Sequence, residues 1–186
     1  VGIRTNLTSN ALSNNLVYAN TNVGVLVQGS GVGLDLVNNT IFQPTGDAVP
    51  IEASWQNVRL RNNILWVNSG YDISVAGDSQ VGFASDHNVL HTSGAGRVGL
   101  WQGVGRSGLP AWQSATFTDA NSLTQDPLFV DADGADNQVG YGPAGDGRDD
   151  DFHEQSVFGS FHGGALAPVT GSQTGLPVFL APNLTV

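Results

Sequence analysis

The sequence predicts an all-β solenoid, a right-handed parallel β-helix with three short strands in each coil of about 24 residues. The first observation is a repeated pentapeptide: a polar residue, an Asn, two mostly apolar residues, and then Tyr, Phe, Trp or His. Its four copies begin at Asn14, Asn38, Asn62 and His87. The second observation is their spacing, because the second residue falls at 15, 39, 63 and 88, at intervals of 24, 24 and 25. Such regular repeats are typical of stacked supersecondary units.

Two further strands in each coil follow from apolar columns at the same spacing. One column aligns Ile3, Val27, Ile51, Val75 and Leu100. A second column, two residues earlier in the same strand, aligns Val25, Val49, Ile73 and Val98. Another strand contains the apolar pairs Leu34 and Leu36, Val58 and Leu60, and then Phe83 with Ser85. Turn residues such as those at 29–31 and 76–78 separate the strands, and we expect the extra residue of the last interval at 78–80.

Three strands in about 24 residues leave no room for a helix, so each strand must pair with its equivalent in the next coil. Equivalent residues of adjacent coils then lie about 4.8 Å apart. An Asn that recurs at each corner can hydrogen-bond to the next one and satisfy groups that burial would leave unpaired. We therefore predict a structural ladder of side-chain amides. Its members are Asn15, Asn39, Asn63 and Asn88.

Outward positions also align between coils. Asp35 aligns with Arg59, and Arg61 with Asp86, so both are predicted to form cross-strand ion pairs. The column of glycan-binding candidates comprises Tyr18, Phe42, Trp66 and His91, with Trp101 predicted to face outward in the last coil. Two interpretations remain open: a platform for sugar rings, or an apolar strip covered by the chain after Gly103, with Trp101 and Trp112 in the cover. We favour the covered strip, because proteins seldom leave such a strip bare.

The repeat stops at Gly103, which divides the chain into solenoid coils at 1–103 and a C-terminal extension at 104–186. The extension is predicted to contain a short helix at 109–117 with Pro in its first turn, a strand at 125–131, and an acidic loop at 131–151. Two last strands are expected near 152–156 and 160–164. Val1 already lies within the repeat and no cap is evident after Pro168, so we expect a fragment of a longer chain.

Composition restricts the partners. The chain has 16 acidic and 6 basic residues, a net charge of −10, and no Lys, Cys or Met. This charge repels phosphate backbones, and no apolar run is long enough to span a membrane, so neither nucleic-acid binding nor membrane insertion is expected. An acidic, Lys-free, Gly-rich composition favours an extracellular or cell-surface location, where a polysaccharide or another surface protein is the expected partner.

Few residues are candidates for chemistry. Arg61, Asp86 and His91 are the best catalytic candidates, since such a group can abstract a proton beside a uronic carboxylate. The competing interpretation is that Arg61 and Asp86 neutralise each other and that the His is an ordinary surface residue. Paired acids at glycosidase separations are not evident, so we favour the absence of catalysis. Asp131, Asp133 and Asp136 are candidate Ca²⁺ ligands by their density of oxygen atoms, although a solvated acidic loop explains them as well.

The sequence resembles a known family in three kinds of motif: the four pentapeptides, DANSLTQDPLFVD at 119–131, and DFHEQS at 151–156. These motifs are similar to right-handed parallel β-helix repeat proteins of the pectate-lyase-like superfamily, especially segments of large surface proteins of planctomycete-type bacteria. The resemblance implies the solenoid fold, and the fold carries lyases, hydrolases, epimerases, adhesins and spacers. We expect a non-catalytic structural or adhesive segment with glycan contact. The alternative is part of a carbohydrate-active enzyme, a polysaccharide lyase or glycoside hydrolase.

Overall fold

The structure is a computed structural model that describes residues 1–6, 8–143, 145 and 147–154. The chain forms a parallel β-solenoid of about 4 turns with a helical content of 7%, which confirms the predicted fold class. The strand predicted at 160–164 and the stretch from Pro168 onward lie outside the described residues. No helix among the described residues is long and apolar enough to cross a membrane.

The strands are short, and most recur with the coil. In chain order they are β1 (Ile3–Thr5), β2 (Asn10–Ser13), β3 (Leu16–Tyr18), β4 (Val25–Val27), β5 (Val32–Val37), β6 (Thr40–Gln43), β7 (Val49–Ile51), β8 (Gln56–Arg61), β9 (Ile64–Val75), β10 (Ala84–Asp86), β11 (Val89–Trp101), β12 (Val104–Arg106), β13 (Phe129–Asp131) and β14 (Asp151–Glu154). One helix, α1 (Leu109–Thr116), follows the last coil, and a single 3₁₀ turn spans Gly77–Ser79. The helix covers most of the predicted span 109–117.

Two parallel sheets form the walls of the solenoid. One pairs β1, β4, β7, β9 and β11 in that order, with β3 and β6 joined to it through β9. The other has the order β10, β8, β5, β2. In the third and fourth coils, the strand of the pentapeptide runs on into the following strand, so β9 and β11 are long and span two sides. Only β11 with β12 and β13 with β14 pair antiparallel among the described strands.

The register differs from the predicted alignment at both ends of the solenoid. Ile3 pairs with Val25, so the first interval is shorter than the repeat. At the other end, Trp101 rather than Leu100 pairs with Val75, because the register shifts between Thr92 and Ala95. A one-residue shift moves every following side chain to the opposite face of a strand. The prediction that Trp101 faces outward is therefore wrong: its side chain is in the core and 9% exposed.

The interior is apolar and closed at its C-terminal end by α1. Trp112 of α1 is fully buried, and its ring lies 6.0 Å from that of Trp101 and 6.1 Å from that of Phe83, centroid to centroid. A Cβ on Gly99 would come within 2.3 Å of the Trp112 ring, so only Gly allows this close approach. The helix therefore acts as a plug for the last coil.

The four Asn form a continuous ladder along one corner. In each of the first three, the backbone N and the side-chain Nδ2 both donate to Oδ1 of the next Asn, over 2.9 to 3.1 Å. The Nδ2 groups of Asn39 and Asn63 also donate to the carbonyls of Leu12 and Leu36. The residue before each rung has φ between 56° and 59°, which Asn tolerates better than most residues. This explains why, in three of the four pentapeptides, the residue before the ladder Asn is also Asn.

Candidate functional site

The predicted aromatic column is continuous along the outside of the coils. Phe42 and Trp66 have ring centroids 4.6 Å apart, and Trp66 and His91 are 4.9 Å apart. Trp66 Nε1 donates to Ser93 Oγ over 3.1 Å, and His91 Nδ1 lies 3.3 Å from the carbonyl oxygen of Thr124. Phe42 is only 4% exposed, so its ring is not accessible to a ligand.

The antiparallel pair β13 and β14 covers this column. Phe129 stacks on Trp66 at 5.9 Å with an interplanar angle of 27°, and Phe152 lies 4.7 Å from Tyr18 and 6.1 Å from Phe42. Trp101 and Trp112 are in the core and do not contribute to the cover. Of the two interpretations, the geometry corresponds to the covered strip. The covering rings are Phe129 and Phe152, which the sequence-based prediction did not name.

Replacement of Phe129 by Ala is expected to uncover Trp66 and to lower the free energy of unfolding by about 1 to 2 kcal/mol, since an aromatic pair contributes beyond its buried area. The other three Trp are buried, so a red shift of the tryptophan emission would report Trp66. Leu128→Ala is the matched control, because the neighbouring Leu128 side chain is exposed. Equal emission spectra for Phe129→Ala and wild type would show that Phe129 does not cover the column.

Only two of the three catalytic candidates lie in the same place. Arg61 and Asp86 are in register on β8 and β10, but among the described residues they form no ion pair. Asp86 instead accepts hydrogen bonds from the backbone N and Nδ2 of Asn121, at 2.8 and 2.9 Å, and lies 3.1 Å from His87 Nδ1. His91 belongs to the covered aromatic column rather than to this group. The structure therefore brings together two of the three candidates.

The surroundings of Asp86 determine the direction in which the pKa of its carboxyl group shifts. Partial burial alone would raise the pKa of its carboxyl group, but the hydrogen bonds from Asn121 and the contacts with His87 outweigh burial and hold the pKa below its usual range. The group is thus a carboxylate at neutral pH and a weak base.

The other predicted ion pair, Asp35 with Arg59, does form. Arg59 Nε and Nη2 donate to the Asp35 carboxylate over 2.6 and 2.8 Å.

The candidate calcium ligands do not assemble into a site. Among the described residues, no three His or acidic side chains are arranged so that they could hold a metal ion. Asp136 Oδ1 accepts a hydrogen bond from the backbone N of Gln138, and its own backbone N donates to Asp149. Desolvation, and then the hydrogen bond and charge of Asp133, raise the pKa of Asp131. Calcium binding stays a prediction that this geometry does not support.

A groove that sequence reasoning missed lies where α1 returns to the sheet of β8 and β10. It has a volume of about 390 Å³. Its lining residues are Arg59, Leu60, Arg61, Ala84, Ser85, Asp86, Phe117, Thr118, Asp119 and Ala120. Arg59 is bound by Asp35, whereas Arg61 has no carboxylate partner among the described residues. The groove thus presents an available guanidinium beside an aromatic ring.

Asp119 forms the rigid floor of this groove. It is fully buried, and its Oδ1 accepts hydrogen bonds from Ser122 Oγ, Ser85 Oγ and Asn88 Nδ2 at 2.6, 2.9 and 3.2 Å. Its Oδ2 accepts one from Trp112 Nε1 at 2.7 Å. Asp119 therefore accepts a hydrogen bond from the last Asn of the ladder and anchors the plugging helix. The ladder position itself is taken by Ser122, whose Oγ accepts from the backbone N of Asn88 over 2.9 Å, and both residues belong to the DANSL stretch.

Phe117 stands at the mouth of the groove in an unfavourable conformation. It ends α1 with φ 58° and ψ 31°, and its backbone N donates to the carbonyl of Gln113 over 2.8 Å. Gly is the usual residue at such a position, and the left-handed conformation costs other residues about 1 kcal/mol. The Phe117 side chain is 92% exposed. The left-handed backbone at Phe117 is thus a cost to the folded chain, and its ring is available to a ligand.

Comparisons with known proteins give no further indication. No protein family model, curated protein or solved structure matches this chain. Any function must therefore be argued from the residues of the chain itself.

Proposed function

We propose that this chain is a non-catalytic β-helix segment of a secreted or cell-surface bacterial protein, with a structural and adhesive role and a glycan-binding groove at Phe117. Relationship to the pectate-lyase-like superfamily is part of the proposal and rests on the sequence motifs described above. The stacked coils and their closed hydrogen-bonded corner support a structural role, because such a solenoid is stabilised along its whole length by contacts between neighbouring coils.

The observation that carries glycan contact is Phe117. Phe117 is 92% exposed on a backbone with φ 58°, and backbone strain of this kind concentrates at functional sites. An aromatic face is a natural platform for the C–H groups of a sugar ring. The covered column of Tyr18, Phe42 and Trp66 does not offer such a face.

The groove also supplies polar groups that suit a glycan. The Arg61 guanidinium offers several N–H donors in a fixed planar arrangement, which match hydroxyl or carboxylate oxygens. Ser85 and Thr118 line the same groove and add hydroxyl groups. An apolar platform with a few directional polar groups is the usual composition of a small-molecule site.

A catalytic role is the second candidate, and one observation favours it: Arg61 and Asp86 line the same groove. Two observations weigh against it. The Asp86 carboxylate already accepts two hydrogen bonds from Asn121, and the lowered pKa makes it a poor proton acceptor. His91 is on the covered face, and the chain has no Lys that might act as a base instead.

The proposal is tested by screening immobilised neutral and acidic glycans and then titrating the best ligand. Phe117→Ala is expected to weaken binding at least about tenfold, since a lost stacking contact of about 1.5 kcal/mol has that effect. Tyr141→Ala is the matched control, because Tyr141 is 90% exposed but lies outside this groove. If no glycan binds, or if only Tyr141→Ala weakens binding, the groove is not the site.

The enzyme alternative requires a separate measurement. Polygalacturonate, alginate and neutral glycans are incubated with the wild-type chain, and unsaturated or reducing products are quantified. We expect no product above the level of a heat-denatured sample. Product formation that disappears in Arg61→Ala, with the fold intact by circular dichroism, would replace the non-catalytic proposal by the enzyme.

A further inference from the structure

The hairpin of β11 and β12 extends the sheet of the solenoid beyond the last coil. Its two strands pair antiparallel, with Leu100 opposite Gly105. On its other side β11 pairs with β9, so that Arg97 lies beside Tyr71. Long side chains that begin on β9 and β11 can therefore reach the backbone of β12.

Gly105 marks a point where two polar side chains meet. A Cβ at this residue would lie 2.7 Å from Arg97 Nη1 and 3.1 Å from Tyr71 Oη, so these two atoms are at most 5.8 Å apart. Gly105 does not have a positive φ, so its backbone conformation is open to other residues. The missing side chain instead leaves room for the guanidinium and the phenol. We call Arg97, Tyr71 and the backbone of Gly105 the hairpin cradle.

The fold does not use the polar groups of the hairpin cradle. Among the described residues, Arg97 forms no ion pair or hydrogen bond, and the Tyr71 hydroxyl group has no hydrogen-bond partner. Arg106, the next residue of β12, is similar, because its buried Nε has no acceptor within the same part of the chain. Arg59, in contrast, is bound by Asp35. Two guanidinium groups at this end of the sheet thus keep unused donors.

The surroundings of the hairpin cradle hold little negative charge, although the whole chain carries −10. Residues 87–118, which include β11, β12 and α1, contain two Arg but no Asp or Glu. On β9, Asp72 is fully buried, and burial raises the pKa of its carboxyl group and favours the neutral form. Asp47 lies in the preceding coil, on the other side of Tyr71, whose backbone N donates to it. An anion that approaches Arg97 therefore meets a locally positive surface.

We propose that the hairpin cradle binds an oxyanion, such as a sulfate or carboxylate group, at a site that shares no residue with the groove at Phe117. A guanidinium offers N–H donors in a planar fork that fits the oxygens of such a group, and a phenol hydroxyl adds a further donor. Donors at most 5.8 Å apart can share one oxyanion, because each hydrogen bond spans about 2.8 Å. The same chemistry suits a free ion and an acidic substituent of a saccharide.

Nuclear magnetic resonance of the whole chain tests the proposal, because the amide of Gly105 and the Nε–H of Arg97 report on the hairpin cradle. Sodium sulfate and sodium acetate are titrated at constant ionic strength, with sodium chloride as the balancing salt. We expect these signals to shift saturably with the oxyanions and not with chloride. A sulfated disaccharide that binds more tightly than inorganic sulfate assigns the site to a saccharide substituent, and equal or weaker binding assigns it to the free ion. Either result supports the site.

Variants locate the binding. Arg97→Gln should weaken sulfate binding at least about tenfold, the effect of losing a charge-assisted hydrogen bond. Gly105→Ala should also weaken it, without a change of charge, because the added Cβ occupies the cradle. Arg4→Gln is the matched control, since it removes the same charge from an exposed Arg that donates to Gln28 on the first coils.

Two results would overturn the oxyanion site. One is that sulfate and acetate shift the Gly105 and Arg97 signals no more than chloride does. The other is an equal loss of sulfate binding in Arg97→Gln and Arg4→Gln, which would mean that binding follows net charge alone. Urea midpoints of the variants close to that of wild type would show that any lost affinity is not lost folding.

Discussion

Replacement of Asp72 by Asn is expected to stabilise the fold at neutral pH and to remove much of its pH dependence. Asp72 is fully buried within β9, and neither carboxyl oxygen has a hydrogen-bond partner among the described residues. By register it lies beside Ala48 in the preceding coil and Val98 in the next one. Burial raises the pKa of this carboxyl group well above its usual range, because an apolar surrounding disfavours the charged form.

The direction of the pH effect follows from proton binding. Above about pH 3.9, the unfolded chain releases the Asp72 proton while the folded chain still holds it, so the unfolded state binds fewer protons. Stability contributed by the protonated group is complete below that pH and is lost as the pH rises through the raised folded pKa. Within this window, the free energy of unfolding falls by up to about 1.4 kcal/mol per pH unit.

Urea denaturation of wild type and Asp72→Asn at several pH values between about 4 and 8 measures this difference, and other titrating groups cancel in the comparison. Asp72→Val removes the polar group entirely, and we expect it to gain about 2 kcal/mol or more at pH 8, since an unpaired buried carboxyl group has at least this cost. Asp47→Asn is the comparison: burial raises the pKa of Asp47 too, but the hydrogen bond from Tyr71 N opposes this, so its pH effect should have the same sign and be smaller. A lower stability of Asp72→Val than of wild type at pH 8 would show that the carboxylate has a stabilising partner.

Asn63→Ala is expected to cost about 3 to 5 kcal/mol, the second large effect. Without the side chain, the backbone N and Nδ2 of Asn39 lose their shared acceptor, and the carbonyl of Leu36 loses a donor. Each buried polar group left unpaired costs about 1 to 3 kcal/mol. Asn88 Oδ1 keeps its bond from the backbone N of residue 63, which limits the damage.

The end of the ladder provides the control for this measurement. Asn15→Ala removes a side chain whose Oδ1 accepts nothing among the described residues, and Asn39 Oδ1 keeps its bond from the backbone N of residue 15. We expect a cost of about 1 kcal/mol, measured as the shift in the urea midpoint at unchanged slope. Equal costs at positions 15 and 63 would mean that the ladder does not stabilise the interior of the solenoid.

The fold was predictable because each coil repeats the same solution to the same hydrogen-bonding problem. The Asn at the corner and the apolar columns recur at the coil interval, and the ion pair of Asp35 with Arg59 spans one such interval. The register shift between Thr92 and Ala95 was not predictable. Val98 and Leu100 are both apolar, so the sequence pattern fits either register, and only the residues around Gly94, with φ 55°, decide between them.

The candidate site was less predictable, since it lies where the repeat ends. Phe117 reaches the sheet only because α1 folds back over the last coil, and no periodicity describes that return. Ser122, supported by Asp119, takes the place of an Asn of the ladder after an interval of 34 residues rather than 24 or 25. Asp72 was missed for a related reason: both Asp72 and Ile73 are buried, although strict alternation places neighbouring residues on opposite faces.

If Phe117 serves binding at the expense of stability, Phe117→Gly should separate the two effects. Gly adopts the left-handed conformation freely, so this variant should unfold at a higher temperature, with a gain of about 1 kcal/mol. The same variant should lose affinity for the glycan selected by the wild-type chain at least about tenfold. If the Phe117→Gly chain binds this glycan as tightly as wild type, the Phe117 ring does not contact the ligand.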